Sequence, residues 1–241
     1  MVQYDALNAA ASFLIYSYKK KILDYNVSDF LKTGVDPFRF SVNCAAYGER
    51  ESVKKEIEHK MEMALENLIG DFHENYLGSC FSEDGSRWHK VPEGHIPGID
   101  IANESRGIYL QLKSKHNSMN SSSSSKLAQE LGALASEYPH NTYGCAWVVA
   151  TSGRKAIGEN KILEVANCYK GSESYSIVTG NKHEIFEVIS ELRNIVQREM
   201  SNVNISRLVD SVVDRVYSSL IENANYNNQS ISDYIAMLSI D

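Results

Sequence analysis

The sequence has no apolar run approaching the roughly 20 residues that a membrane-spanning helix needs, so a membrane protein is excluded. Its opening, MVQYDALNAAASFLIYSYKKK, carries Asp5 early and its lysines late. That is the wrong order for a signal peptide, and a cytoplasmic protein is expected. Cysteine is sparse. Cys44, Cys80, Cys145 and Cys168 form no CxxC pair and no Cys/His pairing at zinc-finger spacing, so free thiols are expected. No internal repeat is visible. Positive charge is also short overall: 24 Lys and Arg stand against 31 Asp and Glu, a net charge of -7. That balance argues against a simple non-specific nucleic-acid coat but not against an enzyme acting on DNA, because binding depends on where the positive charge sits. Between Glu104 and Glu130 acid is missing altogether, while Arg106, Lys113, Lys115, His116 and Lys126 fall inside that window.

What is present is an ordinary globular composition, 43% apolar and 23% charged over 241 residues. Tyr4 to about Tyr25 repeats Leu7, Ala10, Ala11, Leu14, Ile15 and Tyr18 at helical spacing. Asn26 to Phe40 contains Gly34 and Pro37 and reads as a connection. Glu51 to Leu77 gives the strongest helix signal, a stripe of Val53, Ile57, Met61, Ala64, Leu65, Leu68, Phe72 and Tyr76 closed by Gly78. Ile99–Ile101 and Gly107–Ser114 are strand candidates joined by a hairpin turn. The serine run at 121–125 reads as a short linker, or as a source of the N-cap for a helix over Lys126–Tyr138. CAWVVAT, residues 145–151, reads as a central strand buried on both faces, and Ser176–Val178 as a short further strand. Amphipathic helices are predicted over 184–200, 205–223 and 230–238. The order predicts one α/β domain over 1–241, a mixed sheet flanked by helices, with its hairpin at about 97–115.

The hairpin carries the chemistry. Alternation puts Gln111, Lys113 and Lys115 on one face of the second strand and Leu110, Leu112 and Ser114 on the other. If the strands pair, Asp100 lies beside Gln111 and Lys113. A carboxylate and an amide oxygen are hard ligands suited to Mg2+. The ammonium can orient a water or balance charge growing on a phosphorus. Together they equip a site for phosphodiester hydrolysis.

The pattern PGID, ten residues, then QLK resembles the PD-(D/E)xK nuclease signature. The continuation KSKHNSMN–SSSSSK is similar to type II restriction endonucleases of the group that cuts GGNCC-like and GGWCC-like sites, and ENLIGDFHENYLG (66–78) resembles that group's helix before the hairpin. The resemblance is clearest over residues 60 to 150. It implies a restriction-endonuclease-like fold and Mg2+-dependent, site-specific cleavage of double-stranded DNA. Asp100 matches the first metal-binding acid and Lys113 the signature lysine. Gln111 stands where the second acid usually stands, which implies weaker metal binding or a compensating acid. Glu66 is the candidate by resemblance. On the helical wheel Glu62 is better placed, and Glu74 is a third option. Lys115, His116, Asn117, Asn120 and Ser121 are the DNA-contact candidates, since such side chains bond phosphates and base edges. Arg154 and Lys155, after the central strand, suit phosphate contact or an ordinary surface. The nearly palindromic sites of the group imply a homodimer. A structure- or damage-directed repair nuclease on the same core, a decayed DNA-binding module and a helical interaction protein remain alternatives.

Overall fold

The protein is described here by a computed structural model covering residues 2–32, 34–115, 119–149 and 155–240. In chain order the elements are α1 (Tyr4–Asp24), α2 (Val27–Lys32), α3 (Pro37–Tyr47), α4 (Glu49–Leu77), β1 (His89–Lys90), β2 (Ile101–Asn103), β3 (Ile108–Lys115), α5 (Ser121–Glu137), β4 (Thr142–Val149), α6 (Glu159–Leu163), β5 (Asn167–Lys170), α7 (Ser172–Thr179), α8 (Glu184–Met200), α9 (Ile205–Tyr226) and α10 (Ile231–Ile240). They gather into two compact units, one of Met1–Leu14 with Ile69–Arg198, the other of Ile15–Leu68 with Glu199–Asp241.

The first unit holds a five-stranded mixed sheet in the order β1-β2-β3-β4-β5. β1, β2 and β3 pair antiparallel, while β3, β4 and β5 pair parallel. The parallel step from β3 to β4 needs a crossover, and α5 supplies it. β4 is nearly all apolar because it is buried on both faces, as its sequence predicts. On one face Tyr143, Cys145 and Trp147 pack with Leu127, Leu131, Met119 and Ile162.

Three segments depart from their predicted form. The serine run is the first turn of α5, not a linker. Its cap is Asn120 and not a serine: the Asn120 side chain accepts from the Ser123 N–H at 2.8 Å, and Ser123 Oγ accepts from the Asn120 N–H at 2.9 Å. Residues 176–178 lie inside α7 and form no strand, because Tyr175 and Val178 are buried one turn apart and Gly180 ends the helix. A short apolar run does not distinguish the two periods. Residues 26–40 are mostly helical, with Asp36 capping α3 through the Phe38 and Arg39 N–H groups and Pro37 in its first turn.

The second unit is helical in its described residues. Its core joins Ile22, Phe30, Phe40, Val53, Ile57 and Met61 to Val212, Val213, Val216, Leu220 and Ile235. Burying each such side chain stabilises the unit by about 1.5–3 kcal/mol against leaving it in water. Ion pairs Lys54–Asp210 (2.9 Å) and Arg50–Asp214 (2.6 Å) run along the exposed rim of α4 and α9. No described helix is long and apolar enough to cross a membrane.

Candidate active site

Asp100 is fixed from both sides before β2 begins. Its N–H donates to the Leu110 carbonyl at 2.9 Å, and its carbonyl accepts from the Val91 N–H at 2.8 Å. The chain enters through Gly98 at φ +72°, where a Cβ would stand 3.0 Å from both Glu130 Oε2 and Leu127 Cδ1 on α5. A left-handed residue that touches a helix must be glycine, which explains the Pro-Gly before Asp100. The turn that returns the chain is held by Asn103. Its buried side chain accepts from the Arg106 N–H and donates to Ser86 Oγ at 2.8 Å.

Asp100 and Gln111 meet, but with the amide nitrogen and not the predicted oxygen turned to the carboxylate. Ile101 pairs with Leu110, which brings Asp100 level with Gln111. Gln111 Nε2 and the Leu112 N–H both donate to Asp100 Oδ2, the latter at 2.7 Å. Gln111 is 8% exposed, so this amide is committed to the carboxylate rather than to water. Burial pushes the Asp100 carboxyl above the usual carboxylate range. Lys113, the Leu112 N–H and Gln111 pull it back, and the charge of Glu74 pushes it further up. Leu110 and Leu112 are buried on the opposite face, so alternation along β3 is as the sequence predicts.

The acid candidates separate by position. Glu74, in the last turns of α4, bonds Lys90 at 2.8 Å, and its charge reaches Asp100. Glu62 lies in the helical unit, where it lines a groove with Tyr18, Met61 and Val209. Glu66 lies on the same stretch of α4. Among the described residues no three His, Cys, Asp or Glu side chains are grouped to hold a metal ion. The donor set at Asp100 is therefore one carboxylate and one amide. Both offer oxygen, which fits a hard divalent cation that keeps several waters. To offer that oxygen the Gln111 amide must turn, since its nitrogen faces Asp100 in this structure.

Of the DNA-contact candidates, Lys115 ends β3, exposed, and Ser121 opens α5, also exposed. The Asn120 oxygen is occupied as the helix cap. His116, Asn117 and Arg154 lie outside the described residues. Residue patterns gave no hint of the buried supports, Asn103 and Ser82. Ser82 Oγ accepts from Trp88 Nε1 at 2.8 Å and from Arg106 at 2.9 Å. A lone serine or asparagine carries no periodic signal.

Comparison with known proteins bears on what such a site does. The family model described as Eco47II restriction endonuclease matches residues 1–201. The chain is also 21% identical over 243 residues to the type II restriction enzyme Sau96I of Staphylococcus aureus, covering 94% of this chain and 89% of that one.

Proposed function

Because the chain belongs to the Eco47II restriction endonuclease family, and is thus a site-specific endonuclease of double-stranded DNA, we propose that its cutting centre is Asp100, Gln111 and Lys113. The observation that carries this reading is the convergence of the Asp100 carboxylate, the Gln111 amide and the charge of Lys113 at one strand end. Asp100 and the turned Gln111 amide hold the metal, which we take to be Mg2+. When bound, the cation polarises a phosphate oxygen and lowers the pKa of a water. Lys113 orients the attacking water and balances the negative charge that grows on the phosphoryl oxygens as one P–O bond forms and the other breaks. Glu74 is the favoured completing acid, because its charge reaches Asp100. Glu66, favoured by resemblance, is the rival. Lys115, His116, Asn117 and Ser121 contact the DNA, with Asn120 through its amide nitrogen. The HNSMN resemblance supports a GGNCC-like or GGWCC-like site, and the two-fold symmetry of such a site supports a homodimer.

The test is digestion of unmodified phage DNA with Mg2+ and with EDTA, beside an Asp100→Ala variant. Discrete fragments that need both Mg2+ and Asp100 are expected, and sequencing their ends names the site. DNA binding without cleavage under any metal would instead point to a decayed centre and implicate Gln111. Smeared products from damaged or branched substrates alone would point to a repair nuclease.

A further inference from the structure

The face that carries Gln111 and Lys113 does not stop at β3. Register carries it across the parallel strands. Gln111 is level with Cys145 and then Cys168, and Lys113 is level with Trp147 and then Lys170. At Lys170 the row meets α6. Glu159, the first residue of that helix, is 7% exposed and bonds Lys170 Nζ at 2.9 Å and the Ala156 N–H at 2.8 Å. Burial pushes its carboxyl up, but Lys170 and the Ala156 N–H more than offset that, so Glu159 stays ionised below its usual range. The acid at the centre of this region is thus buried and neutralised from within.

The lysines around it are not. Lys161 is exposed and donates to Ser125 Oγ at 2.7 Å, which ties α6 to the first turn of α5. Lys155 is exposed and donates to Asn160 Oδ1 at 3.1 Å. Their hydrogen-bond partners are neutral, so both stay charged and exposed, with Lys155 also acting on the buried Glu159 carboxylate. Lys126, with a 77% exposed side chain, stands one residue beyond Ser125, its ammonium a loose 3.7 Å from Glu130. The two helices meet closely. Gly158, at φ +82°, approaches Ser124 so nearly that a Cβ would fall 2.1 Å from the serine Cβ. That close approach and the Lys161–Ser125 bond set the start of α6 against the first turn of α5, from which Lys126 follows.

We propose that Lys126, Lys155 and Lys161, carried on α5, on α6 and on the approach to α6, whose Leu127 and Ile162 pack over Cys145 and Trp147, form a strip that holds the backbone phosphates of duplex DNA. The proposal rests on the reading of this protein as a DNA endonuclease and adds where the duplex is gripped. The ligand chemistry is a row of phosphodiester anions. A point-charged ammonium suits these, and its contribution carries no base information. Such a strip would give a chain of net charge -7 a local grip on an acidic polymer.

The experiment measures binding of a fluorescently labelled duplex in EDTA, where no cleavage occurs, over a series of salt concentrations. Removing one lysine–phosphate interaction lowers the magnitude of the log K against log salt slope by about 0.9. The triple variant Lys126→Ala, Lys155→Ala, Lys161→Ala is expected to reduce that slope by roughly 2 to 3. Lys161→Arg should retain it, which separates charge from the Ser125 tether. Lys182→Ala is the control. It lies two residues past Gly180, which with Arg106 lines a pocket near the start of β3, and it should leave the slope unchanged. If wild-type protein binds with a steep salt dependence and the triple variant matches it, the strip is wrong while the endonuclease reading stands. If wild-type protein shows no salt-dependent binding at all, both fall together.

Discussion

In the helical unit the buried interior is Val209, Val212, Val213, Val216, Leu220 and their neighbours, and the buried polar side chains are Ser52 and Glu56. In the sheet unit Ser82, Asn103, Gln111, Ser124, Glu159, Ser174 and Glu184 are buried instead, alongside a carboxylate, Asp100, whose charged form the surroundings disfavour. The helical unit contains what stabilises a fold. The sheet unit also holds Asp100, whose charged form its burial disfavours. Apolar stripes position helices with tolerance, because many packings exclude water equally well. A hydrolytic centre must hold its atoms within fractions of an ångström, which takes directional bonds such as those of Asn103 and Ser82.

The largest expected effect tests that contrast directly. Asp100→Asn should reduce cleavage by roughly 10³-fold or more, since the amide removes the charge that holds the metal. It should leave metal-free stability unchanged or higher. The sign follows from linkage: the folded-state pKa of Asp100 is raised, so its contribution is favourable at low pH and is lost as pH rises through the raised value. At neutral pH in EDTA the wild-type carboxylate is therefore a burden that the asparagine lacks. A melting temperature several degrees below wild type would show that Asp100 is structural and would break the comparison.

Leu220→Ala should act the other way round. Leu220 is fully buried in the helical core, and its truncation is expected to cost about 2–5 kcal/mol in urea denaturation. Cleavage per folded molecule, measured well below the midpoint, should be retained. Next in size, Gln111→Glu should tighten Ca2+ binding by about tenfold in calorimetric titration while lowering metal-free stability, because two carboxylates then share one buried site. Unchanged affinity would remove Gln111 from the metal site.

The smallest effect at neutral pH concerns His73, whose ring packs on Phe72 and whose Nδ1 lies 3.3 Å from the Tyr175 hydroxyl. Burial pushes its pKa down to about 4 from the ordinary 6.5. Between those values the unfolded chain takes up a proton that the folded chain refuses, so stability falls as pH drops through that window. Denaturation curves from pH 7 to pH 4 should therefore be flatter for His73→Gln than for wild type.

Periodic stripes, and chemistry gathered in a few neighbouring residues, can be read from residue order alone. The α1 and α4 stripes, the doubly buried β4, the alternation of β3, and the pairing of Asp100 with Gln111 and Lys113 were all legible there, because each depends on local spacing. The same is true of the acid-free window from Glu104 to Glu130, which holds Lys126. The rest came from packing between segments far apart in the chain. Whether five serines bend or coil depended on the Asn120 cap and on the packing of Leu127 and Leu131. Ser176–Val178 became helical because Tyr175 and Val178 are buried one turn apart. That Lys161, 48 residues beyond Lys113, bonds Ser125 at the start of α5 could not be read from spacing. It follows from one glycine pressed against Ser124, a contact between residues far apart in the chain.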